Sequence, residues 1–171
     1  MVLALDASIS STGYSIIRKD NSLFEFGKIT TNSKKQSEEE RIFTIANDIK
    51  SMIEQHAIDT VVIEDQFLGR NAKTAMQLSR LRGAIIFVCK LCNAKLIYLM
   101  PSVIRKNLMN NGSASKEEVA EFIRNYYLHD LDVQALGEFN DRQCKAKNSD
   151  IYDAISIALA YNIQKEGNDY E

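Results

Sequence analysis

Residues 61–83 read VVIEDQFLGRNAKTAMQLSRLRG. Val61, Val62 and Ile63 are a β-branched run suited to a buried strand, and from about Asn71 the pattern lengthens into a helix ending near Cys92. Between the two stand a carboxylate at the strand's end, Glu64, and a lone aromatic on the turn, Phe67. Upstream, Val2–Asp6 is a short apolar strand, Thr12–Ile17 begins a second after a Ser/Thr/Gly turn, and Leu23–Ile29 alternates as a third. These three read as an antiparallel meander. Ser37 and the glutamates after it open a capped helix, carried by Ile42, Ile45, Ala46, Ile49 and Ile53 to about Gln55. Downstream, a strand at Lys95–Leu99 leads to a short helix opened by Pro101. Asn110–Ser113 is a loop, Ser115 and Glu118 form a capping box for a helix to about Leu128, and Ser149 caps a last helix from Asp150 to about Lys165. Residues 129–148 show no period and read as an inserted loop. Strands followed by strand–helix alternation give an α/β fold with a mixed five-stranded sheet, an antiparallel meander plus parallel strands, flanked by helices.

The 171 residues are 45% hydrophobic, enough for one compact domain burying about two thirds of the surface its unfolded chain would expose. The reading is a single domain over residues 1–165 with an acidic tail, 166–171, expected to be disordered. No apolar run approaches a membrane span, and Met1–Asp6 lacks the flank and cleavage site of a signal peptide. A soluble, cytoplasmic protein with no membrane partner is expected. Three cysteines, an odd number without a framework, suit a reducing compartment. Cys89 and Cys92 make a C-x-x-C, but inside an apolar helical stretch, and zinc would need two more ligands from Cys144 and His129. Small buried helix residues are expected there instead.

A net charge of −2 does not announce a nucleic-acid binder. Its distribution says more. Acid gathers at Glu38–Glu40, around Glu117, Glu118 and Glu121, and in the tail, whereas Arg70, Lys73, Arg80, Arg82, Arg105, Lys106, Lys145 and Lys147 lie near the segments that carry chemistry. Any one of these charges alone reads as solvated surface.

Working residues of such sheets sit outside the carboxyl ends of strands, which selects Asp6 and Glu64. Each ends a buried run, where a bare charge is costly unless paired or metal-bound; each alone could also begin a solvated loop. Asp150 and Asp153 stand i, i+3 on one face of the last helix, opposite a core stripe of Ile151, Ala154, Ile155, Ala158 and Leu159. In a first turn they could merely complement the helix dipole. Together the four supply hard oxygen ligands for Mg²⁺ or Mn²⁺, and without lysine or arginine partners they would repel unless cations filled the site. Two such ions can activate a water and stabilise the leaving oxygen of a phosphodiester.

The segments LALDASISSTGYSII (3–17), VVIEDQFLGRNAKTAMQLSRLRGA (61–84), NGSASKEEV (111–119) and KNSDIYDAISIALAY (147–161) resemble the RuvC family of Holliday junction resolvases, on the ribonuclease H-like fold, over nearly the whole chain. A phage-type member is among the alternatives. The most specific block is I-E-x-x-F followed by N-A and R-G; the D-x-x-D of the last helix is next. The resemblance implies that Asp6, Glu64, Asp150 and Asp153 are the catalytic acids and hold two Mg²⁺ per site, with Mn²⁺ as a substitute. It implies that Phe67 pushes into the junction centre and that Arg105 and Lys116 contact DNA. Arg70, Lys73 and Lys106 are added from their place in the sequence as further members of a basic face. The chain departs from the family at Asp6-Ala7-Ser8, where many members carry Asp-Pro-Gly, so the first turn has to be shaped differently.

From Gly83 to Cys89 the helix is apolar all round, so one face is expected on the sheet and another on a partner, or under neighbouring helices. A homodimer would present two sites to a four-way junction, which the resemblance also implies. The expected activity is metal-dependent nicking of branched DNA, paired across four-way junctions. Alternatives are a broader nuclease for forks and flaps, and a non-catalytic binder of branched DNA. A nucleotide-binding fold of the actin and hexokinase type matches D-x-x-x-x-x-T-G at the first turn, but 171 residues are too few for its two lobes.

Overall fold

The computed structural model describes residues 1–65 and 71–168. Strands β1 (Val2–Asp6), β2 (Ser11–Ile17), β3 (Leu23–Thr30), β4 (Thr60–Glu64) and β5 (Lys95–Leu99) form one sheet in the order β3-β2-β1-β4-β5. The β1–β2 and β2–β3 pairs are antiparallel, while β1–β4 and β4–β5 are parallel, as the meander and the strand–helix alternation require. Helices α1 (Glu38–Gln55), α2 (Ala72–Leu91), α3 (Pro101–Met109), α4 (Lys116–Tyr126), α5 (Leu131–Ala135) and α6 (Arg142–Asn168) complete the domain. None among the described residues is long and apolar enough to cross a membrane.

The capping boxes are formed: Ser37 and Glu40 open α1, and Ser115 and Glu118 open α4, each serine accepting from the glutamate's N–H while the carboxylate accepts from the serine's. Asn71 caps α2 by accepting from the N–H groups of Lys73 and Thr74. Alternation along β1 and β4 then divides the core. Leu3, Leu5, Val61 and Ile63 join Ile45, Ile49, Leu81, Ile85 and Val88 under α1 and α2. Val2, Ala4 and Val62 join Ile104, Val119, Ile123, Ile155 and Leu159 under α3, α4 and α6. Because side chains alternate, Asp6 and Glu64 fall on the α6 side of the sheet. Leu5 pairs with Ile63 across the parallel ladder, so the two acids leave neighbouring strands side by side.

Two expectations are corrected. Residues 129–148 are not a loop: α5 occupies Leu131–Ala135, and α6 begins at Arg142. Only α5 and the first turns of α6 fall in this stretch, which anchors through few side chains, Val133, Phe139 and Cys144, all buried, too sparse for a readable period. Asp130 caps α5 by accepting from the N–H groups of Asp132 and Val133, and the Asp141 carboxylate accepts from the N–H of Gln143 at 2.9 Å. Ser149 is therefore inside α6 rather than its cap, and Asp150 lies in the helix's third turn. The dipole explanation for Asp150 and Asp153 fails with it. At its other end α6 continues past Lys165 through Asn168, taking in the first residues of the expected tail.

Cys89 is buried and Cys92 half-buried, both free. Burial pushes the Cys89 thiol up to about 11, the opposite of a reactive thiolate.

Candidate active site

Two backbone approaches and one arginine side chain assemble the acids. Asp6 pairs with Gly13 across β1–β2. A Cβ on Gly13 would stand 1.9 Å from the Asp150 carbonyl oxygen, so only glycine lets β2 lie against α6 at that level. Arg82 of α2 donates from Nη2 to the Glu64 carbonyl at 2.9 Å, and its Nη1 stands 3.5 Å from the Asp65 carboxylate, tying down the end of β4. Asp150 and Asp153 follow on α6, one helical turn apart. Glu64 and Asp153 line a small cleft with Pro101, Ile104, Arg105 and Lys116.

Electrostatics show how closely the four are coupled. Asp6 is pushed up to about 7, first by burial and then by the charges of Asp153, Glu64 and Asp150, with Lys116 pulling the other way. Burial also holds Asp153 above the usual carboxylate range against the pull of Lys116 and, more weakly, Arg105. Burial alone would depress the Lys116 ammonium, but Asp153, Asp6 and Glu64 hold it above its ordinary value. The expectation of acids without cationic partners is thus corrected: Lys116 Nζ meets Asp153 Oδ2 at 2.5 Å. Asp150 is engaged too, accepting from Ser11 Oγ at 2.5 Å and from Ser149 Oγ at 3.2 Å. Among the described residues no group of three or more His, Cys, Asp or Glu side chains is arranged to hold a metal ion as it stands. The donor set nevertheless suits one: a divalent cation would offset the burial and the repulsion that together raise Asp6, and take over the role that Lys116 plays at Asp153.

Of the residues proposed from sequence to meet DNA, Arg105 and Lys116 lie in the cleft. Lys106 is exposed on α3, and Lys73 is exposed at the start of α2, where it acts on Glu38 of α1. Neither lines the cleft. Phe67 and Arg70 lie outside the described residues. Sequence reading missed Ser11, Gly13 and Arg82 as parts of this site. Gly13 was legible only as a turn glycine and Arg82 only as a nearby cation and part of the R-G pair, and nothing local marks Ser11; the partners of Ser11 and Arg82 lie 139 and 18 residues away.

A mixed sheet in this order, with carboxylates from both central strands meeting a helix-borne pair at its carboxyl edge, defines an acid-cluster domain of the ribonuclease H-like class. The sequence profile described as Crossover junction endodeoxyribonuclease RuvC matches residues 2–161. The chain is 29% identical to the RuvC of Anaplasma phagocytophilum, over 99% of this chain and 98% of that one. It is 30% identical to the RuvC of Finegoldia magna, over 94% and 91%. Its fold is similar to that of T. thermophilus RuvC, solved in complex with Holliday junction substrate, with a TM-score of 0.77, 20% identity and coverage of 97% and 94%. The chain belongs to the RuvC family of crossover junction endodeoxyribonucleases.

Proposed function

We propose that the protein resolves four-way DNA junctions as a homodimer, each subunit making one metal-dependent nick. The observation that carries this reading is the acid cluster: Glu64 and Asp153 line a cleft with Arg105 and Lys116, and Asp6 is close enough to feel the charges of Asp153, Glu64 and Asp150. Two Mg²⁺ ions held by Asp6, Glu64, Asp150 and Asp153, with Mn²⁺ as a substitute, would supply an activated water and stabilise the leaving oxygen. Asp6, raised to about 7 by burial and its neighbouring carboxylates, would have to lose its proton to hold a cation. With a cation in its place at Asp153, Lys116 would join Arg105 in binding phosphates that flank the scissile bond. Lys73, Lys106, Arg70 and Phe67 extend this proposal from sequence, the last as a wedge that stacks on bases at the open junction centre.

The dimer rests on α2. Leu81, Ile85, Val88 and Cys89 pack on the sheet, while Met76, Phe87 and Leu91 on the opposite side are 55%, 66% and 57% exposed. These three share one stripe with Gly83, where nothing among the described residues lies within 4 Å of an added Cβ. A notch flanked by apolar side chains suits the same helix of a second copy, because a two-fold interface is self-complementary.

Labelled four-way junction, fork, flap and linear duplex, incubated with protein and Mg²⁺, test the reading. Paired nicks confined to the four-way junction are expected. Equal cutting of forks and flaps would make this a general branched-DNA nuclease, and no cutting of any substrate would overturn the enzymatic reading.

A further inference from the structure

We propose that Arg41 is a positioning residue for the acid cluster, acting through the β1–β2 turn, and that Ser11 is the link by which this turn holds Asp150. The inference deepens the reading above and rests on it. The turn, Ala7-Ser8-Ile9-Ser10, joins Asp6 at the end of β1 to Ser11 at the start of β2. It has neither proline nor glycine, so local backbone preference does not dictate its shape. Side chains from outside do. Arg41, on α1 across the sheet from α6, is 6% exposed. Its Nη2 donates to the Ile9 carbonyl and to Ser10 Oγ, both at 3.0 Å, and its Nε donates to Thr31 Oγ1 at 2.8 Å. Thr31 Oγ1 in turn donates to the Ile9 carbonyl at 2.5 Å, and Thr12 Oγ1 to the Ser8 carbonyl at 2.6 Å.

A buried guanidinium satisfied by neutral oxygens is an expensive way to fill space; an apolar side chain would fill it at lower cost. What the guanidinium adds is a planar fork reaching three acceptors at once, which a lysine cannot reproduce. That fork sets the path of the turn, and the turn sets both of its ends. One end carries Asp6. The other carries Ser11, whose hydroxyl donates to Asp150 Oδ2 at 2.5 Å. Arg41 is not among the charges that shift Asp6, so its influence is geometric.

The test compares the parent protein with Arg41→Lys, Ser11→Ala and Arg41→Lys/Ser11→Ala. Mg²⁺ and Mn²⁺ binding is measured by calorimetry on DNA-free protein, and the Mg²⁺ dependence of junction nicking is measured alongside. Arg41→Lys and Ser11→Ala should each weaken cation binding by about tenfold or more, the scale for residues that orient metal ligands. Nicking at saturating Mg²⁺ should return to within a few-fold of the parent. The double variant should lose less than the sum of the two, because both act through one turn. A fall in thermal stability with parental cation binding would reduce Arg41 to a structural role and overturn the proposal. Should Arg41→Lys fail to fold, Ser11→Ala decides, since parental cation binding in that variant removes the link. A parent that binds no better than Asp6→Asn would instead overturn the reading of the cluster as a metal site.

Discussion

The two long helices, α6 and α2, lie on opposite faces of one sheet and are finished in different ways. Around α6, Ile151, Tyr152, Ala154, Ile155, Ile157, Ala158, Leu159 and Ala160 are all buried, because the sheet lies on one side and α3 and α4 on the other. The backbone that carries Asp150 and Asp153 is therefore held from both sides, while their side chains stay part-exposed. On α2 only one face is covered, and the apolar stripe through Met76, Phe87 and Leu91 stays open. On the reading proposed above, the open stripe of α2 is the face that a second copy covers. That contrast predicts that damage near α6 abolishes chemistry, whereas damage on α2 changes assembly.

The largest effect is expected at the acids. Asp6→Asn, Glu64→Gln, Asp150→Asn or Asp153→Asn should each lower Mg²⁺-dependent nicking by about 10⁴-fold, the scale for removing one member of a catalytic unit. Junction binding should hold or improve, since a negative charge near phosphate has been removed. Near-normal turnover in any two of these variants would break the assignment.

Gly13→Ala comes next. Its methyl would stand 1.9 Å from the Asp150 carbonyl oxygen, so β2 and α6 have to separate, at a cost of about 1–3 kcal/mol or more. Thermal unfolding and nicking should both suffer. An unchanged variant would show that α6 can move without loss, which would end the claim that its acids are fixed by packing.

On the other helix, Phe87→Glu should leave monomer stability within about 0.5 kcal/mol of the parent, as for an exposed site. Self-association, read by sedimentation, should weaken at least tenfold, because truncating a buried interface aromatic costs about 2 kcal/mol or more. Single nicks should persist while simultaneous paired nicks disappear. An unaltered dimer would place the interface elsewhere.

The smallest effect is a pH dependence. Asp6 holds its proton up to about 7 in the folded chain, well above its unfolded value near 3.9. Between those values the folded state binds more protons than the unfolded one, so stability falls as pH rises through that window. The melting temperature of metal-free protein should be a few degrees lower at pH 8 than at pH 5, on a scale of about 2–4 °C per kcal/mol. Asp6→Asn should flatten this contribution, and saturating Mg²⁺ should raise the melting temperature more at pH 8 than at pH 5. The opposite slope would mean that burial and the neighbouring carboxylates do not raise Asp6.

Much of this was legible in the chain because the signals were local. Alternation in Val2–Asp6 and Thr60–Glu64 sets which side chains share a face, and so places Asp6 and Glu64 together once their strands pair in parallel. The i, i+3 spacing of Asp150 and Asp153 needs only helix geometry. The serine–glutamate boxes at Ser37 and Ser115 mark two helix starts where they occur. A third cap signal, Ser149, misled, because packing of Phe139 and Cys144 extends α6 backward to Arg142.

By itself the sequence determined the strand and helix periods, the face on which each acid falls, and the family to which the chain belongs. Only the tertiary structure decided that Lys116 neutralises Asp153, that Ser11 and Gly13 meet Asp150, and that Arg41 reaches through to the first turn. The physical reason is range. Backbone periodicity and capping act over a few residues and leave a pattern in the chain, whereas a hydrogen bond or a backbone contact between residues 139 positions apart leaves none until packing brings the two together.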